Sequence, residues 1–302
     1  MSLQDAKLLT TPNAYKAGKL YSIKPLDGSG DFTASRATTA TRVNENGLIE
    51  SVAENVPRID YTNGNCPSIL VEGQATNLFE YSEQLDNAYW NKSNISILSN
   101  NAISPDGSMT ADKIIPDAGF SNFDIFRNIG GIDGSIYTLS FFAKKAGYSY
   151  IYITDRTIGG NIAWFDIDSG SVGTKGVNAI SSRIKDYNNG WYRCQMTFLQ
   201  SGSNIRTTVS VSDSDNVTSF DSDGTSGVFI WGAQLEEGTE ASSYIPTTSS
   251  AVTRNADVLS TTVPAGVTEI VEELEDGTTN TITNIPATYT PDPNRYKYIL
   301  MQ

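Results

Sequence analysis

Between residues 66 and 250 the chain is a succession of short runs rich in β-branched and aromatic residues, each closed by Gly, Asn, Asp or Pro. The runs include "SILVEG", "NISILSN", "SIYTLSFFAKK", "YSYIYITD", "WYRCQMTFLQ", "IRTTVSVSD" and "GVFIWGAQLEE". Several alternate apolar with polar residues, the pattern of a strand with one face on a core. In "WYRCQMTFLQ", Tyr192, Cys194, Met196 and Phe198 take one side and Trp191, Arg193, Gln195 and Thr197 the other; the first set reads as the core face. Roughly eight to ten such strands suit two packed antiparallel sheets, a jelly roll or a related sandwich.

The flanking regions read differently. Residues 1–65 are rich in Thr, Asn, Gly and Pro and hold no sustained period, so they are expected to form an extended arm for oligomerisation or docking. Its apolar residues Leu20, Tyr21, Ile23, Phe32, Val43, Leu48, Ile49, Val56 and Ile59 are expected to need a neighbouring chain for burial. "NENG" reads as a turn, with Gly47 free to take positive φ. Residues 251–302 read as a small C-terminal β element: Asp276 and Gly277 mark a tight turn between two strand-like arms, and "YKYILM" reads as a last strand. "SRATTATRV" and "SAVTRNADV", on either side of the sandwich, echo each other too briefly to be a repeat. The predicted fold is thus all-β: a jelly-roll β-sandwich with an extended N-terminal arm and a small C-terminal β element.

Composition narrows the chemistry. A formal charge of -13 leaves no cationic surplus for phosphates, which argues against nucleic acid and anionic membranes as partners. No apolar run approaches the roughly 20 residues that span a bilayer, and the opening "MSLQDAKLL" does not read as an export signal. The chain has no histidine, which removes the Ser-His and Cys-His routes to an activated nucleophile. Cys66 and Cys194 are too few for a disulfide framework and are expected to be free, buried thiols. Asn91, Asn94 and Asn216 begin glycosylation sequons as chance matches in an Asn/Ser/Thr-rich chain.

Three constellations carry candidate chemistry. In "FIWGAQLEEGTEASSYIPTT", Glu236 and Glu237 adjoin a tryptophan, but neighbours on a strand face opposite sides and cannot flank one glycosidic bond. Trp231 is expected in the core with Phe229, Ala233 and Leu235, opposite Val228, Ile230, Gly232 and Gln234. No catalytic residue is assigned and the chain reads as non-enzymatic. Second, Asp213, Asp215, Asp221 and Asp223 gather in "SDSDNVTSFDSDGTSG", a candidate Ca²⁺ ligand set or else a solvated acidic loop; no other cofactor is expected. Asp166 and Asp168 in "FDIDSG" are a weaker version of the same pattern. Third, Tyr148, Tyr150 and Tyr152 share one side of a strand opposite Ile151 and Ile153, and with Tyr89, Trp90 and Trp164 are candidates for a glycan platform or an intersubunit contact. Trp90 also reads as a plug for the end of the sandwich.

The blocks "DFTASRATTATRVNENGLIESVAENVPRIDY", "CPSILVEGQATNLFEYSEQLDNAYW", "SPDGSMTADKI", "YTLSFFAKK", "GWYRCQMTF" and "FIWGAQLEEGTEASSYIPT" resemble recurrent blocks of tailed-bacteriophage virion proteins that carry a jelly roll similar to carbohydrate-binding modules. The ending "LEDGTTNTITNIPATYT" followed by "NRYKYILMQ" is similar to C-terminal elements of such proteins from phages of Bacteroidetes hosts, including crAss-like phages. The likeness covers most of the chain. It implies a structural protein of the virion surface, made in the bacterial host cytoplasm: a head fibre or capsid decoration, or alternatively a tail-associated adhesion module. The partners it implies are further copies of the chain, most simply as a homotrimer, the major capsid or other virion proteins, and host surface glycans.

Overall fold

The computed structural model describes residues 5–302, so the first four residues of the "MSLQDAKLL" opening lie outside the described residues. The chain forms two compact units, residues 76–253 and residues 1–75 with 254–302.

The unit of residues 76–253 is a jelly-roll sandwich of twelve principal strands. They are β1 (Asn91–Ser93), β2 (Ile95–Ala102), β3 (Ala111–Pro116), β4 (Asp124–Gly130), β5 (Ile136–Ala146), β6 (Tyr150–Asp155), β7 (Asn161–Asp166), β8 (Ser171–Lys175), β9 (Ala179–Asp186), β10 (Tyr192–Leu199), β11 (Asn204–Ser212) and β12 (Gly227–Glu237). The first sheet runs β1-β4-β11-β6-β7-β8 and the second β2-β3-β12-β5-β10-β9. Every pairing within the two sheets is antiparallel.

The core lies between the sheets and follows the alternation of the sequence. Ile151, Ile153, Val209 and Val211 enter it from the first sheet, and Leu139, Phe141, Cys194, Met196 and Phe198 from the second. The expected inward face of "WYRCQMTFLQ" is the observed one, with Tyr192 half-buried at its end.

One expectation about β12 is corrected. Val228 and Ile230 face the core, and so do Ala233 and Leu235, whereas Trp231 does not. The β5–β12 register shifts between Ser140 and Phe142, and Gly232 there adopts φ +64°. The bulge inserts one residue and reverses the inward parity, so Trp231 is turned to the outer side of the second sheet. It is still only 1% exposed, because Tyr244 folds over it with ring centroids 4.5 Å apart and Phe142 lies edge-on at 5.4 Å. Its indole N–H donates to Thr110 Oγ1 at 3.1 Å.

The second unit corrects the expected arm and appendage. Strands Leu8–Thr10, Arg58–Asp60 and Ser68–Val71 join Ile270–Leu274, Thr279–Ile282 and Asn294–Met301 in one six-stranded sheet. Leu20, Phe32 and Ile59 are buried against Leu259, Ile270, Tyr289, Tyr296 and Ile299 of the same chain. Val43 and Ile49 are also buried, in the hairpin that "NENG" closes with Gly47 at φ +76°. Leu48 and Val56 are half-buried, and Tyr21 and Ile23 are exposed. What reads locally as a segment without a core has its core some 200 residues downstream. The Asp276-Gly277 turn and the final strand occur as expected, with Ile270–Leu274 paired to both Thr279–Ile282 and Asn294–Met301.

The two echoing segments meet in this unit. Arg36 donates to Asp257 at 2.7 Å, Arg58 is paired with both Asp257 and Glu72, and Arg254 lies 3.4 Å from Glu72. The Asn255 N–H donates to Thr38 Oγ1 at 3.0 Å. Both cysteines are free, as expected, but Cys66 is exposed and only Cys194 is buried.

Candidate functional site

The register of the first sheet sets out its outer face as rows of side chains running across the strands. One row is Ser93, Asp124, Ser210, Tyr152 and Trp164; the next is Asn91, Phe126, Thr208, Thr154 and Ile162. Beyond it, Asn128 pairs with Arg206, and Arg156 follows Asp155 at the end of β6, its N–H donating to the Arg206 carbonyl at 2.9 Å.

Of the predicted tyrosine stripe, Ile151 and Ile153 point inward as expected, but the stripe is not an exposed platform. Tyr152 is 0% exposed; its ring packs against Trp164 at 5.5 Å and its hydroxyl lies 3.4 Å from Asp124. Burial, reinforced by the Asp124 carboxylate, pushes the Tyr152 phenol up to about 12. Tyr148 precedes the strand and turns against Phe220 at 4.9 Å, while Tyr150 is half-buried at the strand's start. Trp90 packs on Phe79 at 4.8 Å in the core, which is the plugging role, and half-buried Tyr89 lies under the Arg127 guanidinium at 4.0 Å.

The loop that carries the predicted calcium ligands explains the burial of Trp164. The Trp164 indole N–H donates to the Val217 carbonyl at 2.9 Å, and Ser212 Oγ donates to the same oxygen at 2.8 Å. Asp215 pins the loop by accepting from the Thr174 N–H at 2.7 Å and hydroxyl at 2.8 Å. Asp223 accepts from the N–H groups of Ser226 and Thr225 and from the Ser226 hydroxyl, which hold its carboxyl well below the usual range. Asp213 accepts from Ser214, and exposed Asp221 sits on a two-stranded ladder opposite Phe120. Asp213, Asp215 and Asp223 are therefore each engaged by different partners, and among the described residues no group of three or more metal-ligating side chains converges. Asp166 likewise ties its own turn, accepting from the N–H groups of Asp168 and Ser169, and exposed Asp168 pairs with Lys145.

Glu236 and Glu237 are separated as the strand geometry requires. Glu236 is 2% exposed and accepts from Gln234 Nε2 at 2.7 Å, the Ser242 N–H at 2.8 Å and the Ser242 hydroxyl at 2.7 Å. Burial raises its pKa, and the Arg193 charge opposes that rise. Glu237 is exposed and accepts from Ser135 Oγ. Gln234 in turn accepts from the Ile245 N–H at 2.8 Å, so Glu236 and Gln234 fasten the returning segment that covers Trp231.

Two features escaped the sequence reading. A polar recess of about 260 Å³ is lined by Glu83, Asp86, Asn87, Asn100, Thr110 and Asp112, among others. On the outer face of the first sheet, Arg156 and Arg206 are exposed side by side and Phe126 is half-buried below them. Arg156 Nη2 donates to both carboxylate oxygens of Asp124 at 2.8 and 2.7 Å, and the Arg206 guanidinium lies over the Phe126 ring at 4.5 Å. The outward alternation of Asp124, Phe126 and Asn128 in "DIFRN" is visible in sequence, but nothing there says which strand lies opposite.

No protein-family model matches the sequence, and no curated protein matches it. Solved structures give low-scoring likenesses. TmCBM61 in complex with β-1,4-galactotriose is 13% identical with a TM-score of 0.33, over 54% of this chain and 99% of that one. A CBM4 structure is 13% identical with a TM-score of 0.28, over 65% and 99%. The CBM22-1–GH10 modules of Clostridium thermocellum xylanase 10B, complexed with xylohexaose, are 12% identical with a TM-score of 0.29, over 55% and 28%. The sandwich assignment stands on the strand order and core of this chain, which the likeness accompanies without adding a ligand or a residue role.

Proposed function

We propose that the chain is a non-enzymatic surface protein of a phage virion, a short homo-oligomeric fibre or capsid decoration whose sandwich contacts host glycans weakly. The virion part of the reading is supported by the ordered sequence blocks quoted above. The glycan part is supported by one observation: the outer face of the first sheet presents exposed Arg156, Arg206, Asn128 and Asn91 around half-buried Phe126. Such a mixture of fork-shaped donors, amides and an aromatic edge suits sugar hydroxyls and their substituents. The glutamates that suggested hydrolysis are split across the second sheet, Glu236 fastening the segment over Trp231 and Glu237 accepting from Ser135, so they do not supply a catalytic pair. Several copies on one particle would compensate for weak single-site binding.

Immunogold labelling or reconstruction of the particle tests the location. Density on the capsid is the expected result, density only at the tail tip would transfer the chain to the adhesion alternative, and absence from the particle would end the virion reading. A glycan array with the full chain tests binding separately, and no signal at millimolar sugar would remove the glycan part.

A further inference from the structure

We infer that the glycans recognised on the outer face of the first sheet are acidic, and that Arg206, with Arg156 beside it, receives a sugar carboxylate. This rests on the glycan-binding reading and specifies its ligand class.

The argument begins with an unfavourable arrangement. Arg156 and Arg206 are joined by a backbone hydrogen bond just past the last β6–β11 ladder pair, Asp155 with Thr207, and both lie on the outer face, Arg156 on Asp124 and Arg206 over Phe126; like charges set opposite each other there are unfavourable. In a chain of net charge -13, carboxylates to neutralise both are plentiful. Only Arg156 has one: its Nη2 holds both oxygens of Asp124, whose carboxylate is further occupied by the Ser210 hydroxyl. Nε and Nη1 of Arg156 are left without a hydrogen-bond partner among the described residues.

Arg206 has no carboxylate partner among the described residues. The nearest in sequence register, Asp155, is 0% exposed, and its Oδ1 accepts from the N–H groups of Thr157 and Arg206 and from the Thr157 hydroxyl. What holds the Arg206 guanidinium is the face of Phe126, which orients the planar cation while leaving its donor edges to solvent. A second unspent group lies beneath: Thr208, 1% exposed and set between Phe126 and Thr154 in the ladder, has a hydroxyl with no hydrogen-bond partner. Thr154, opposite it, turns its own hydroxyl to the Asn161 carbonyl at 2.7 Å and is not its partner. A preoriented cation and free donors on a neighbouring one form a face matched to a carboxylate flanked by hydroxyls, the chemistry of uronic and sialic acid sugars.

The test titrates the full chain by calorimetry with oligogalacturonate, oligomannuronate and a sialyl-oligosaccharide. Each is paired with its methyl-esterified counterpart, and a neutral oligosaccharide panel runs alongside. At least one acidic probe should bind, weaken at least tenfold on esterification, and weaken further between 50 and 500 mM NaCl. Arg206→Gln should lose at least tenfold in affinity for that probe while its melting temperature stays level or rises, since the like-charge pair is relieved. Arg183→Gln, an exposed arginine of the other sheet that pairs with Glu240, should bind as the parent does. Equal binding of acid and ester, or of parent and Arg206→Gln, would overturn the acidic assignment and leave glycan binding standing. Binding only to neutral sugars would do the same. Failure of every neutral and acidic probe would overturn both.

Discussion

A Cβ placed on Gly232 would lie 2.8 Å from Cδ2 of Phe142, and this close approach is where the second sheet changes the side on which β12 presents its residues. At φ +64° the position is costly for any residue with a side chain, by about 1–2 kcal/mol, and the collision adds an overpacking term of about 1–3 kcal/mol. Gly232→Ala is expected to destabilise the sandwich by roughly 2–5 kcal/mol on those grounds. Urea unfolding followed by tryptophan fluorescence measures it, because Trp231 adjoins the bulge. A variant as stable as the parent would mean that the bulge relaxes freely.

Asp257 holds together the charged centre of the other unit. Arg36 and Arg58 both donate to its carboxylate, and their side chains are 1% and 0% exposed. Removing the acid from such a pair leaves cations desolvated and uncompensated, which costs about 3–5 kcal/mol. Asp257→Ala is therefore expected to lower the stability of this unit by an amount of that order, as read from hydrogen exchange of its central strand Asn294–Met301. Exchange there as slow as in the parent would show that Glu72 alone neutralises the arginines.

These two cases show which parts of the fold local sequence can reveal. The inward set Cys194, Met196 and Phe198 and the Asp276-Gly277 turn are written in spacings of a few residues, and both are found. The Arg36–Asp257 contact joins residues 221 apart, so residues 1–65 look like an arm when read alone. A period-two pattern puts Trp231 on the wrong side because it cannot reveal one inserted residue, although Gly232 is a type of residue that permits it. The aromatic candidates suffered differently: Tyr152 does lie on the outer side of its strand, but Trp164 and the loop tied down by Asp215 complete its burial. Arg156 and Arg206 become neighbours only through the pairing of β6 with β11, which single-strand patterns do not encode.

The two thiols should be chemically distinct. Cys66 is exposed, whereas Cys194 is buried in the sandwich core, which pushes its thiol well above the ordinary range and removes it from solvent. A thiol reagent such as DTNB is expected to modify one cysteine of the native chain rapidly and the second only on unfolding. The Cys66→Ser variant should give no rapid phase, and a rapid phase that persisted in it would show that the core opens readily.

Asp112 should make part of the sandwich's stability depend on pH in the direction opposite to that of a salt-bridged acid. It is 1% exposed at the polar recess, with Oδ2 accepting from the N–H groups of Leu85 at 2.9 Å and Asp86 at 3.3 Å and Oδ1 from Asn100 at 3.0 Å. Those bonds favour the charged form, yet burial outweighs them and, helped by the Asp86 carboxylate, raises the pKa from 3.8 to about 6. The folded chain therefore holds this proton more tightly than the unfolded chain does. The contribution is fully present below about pH 4 and is lost as the pH rises through about 6. Asp112→Asn cannot titrate, so its stability relative to the parent should increase between pH 4 and pH 7, by about 2–3 kcal/mol for a shift of this size. Other carboxylates titrate in the same window, but they are common to both proteins and cancel in the difference. Paired urea titrations at pH 4, 5, 6 and 7 measure that difference, and a constant gap across the series would show that Asp112 is already ionised at the acid end.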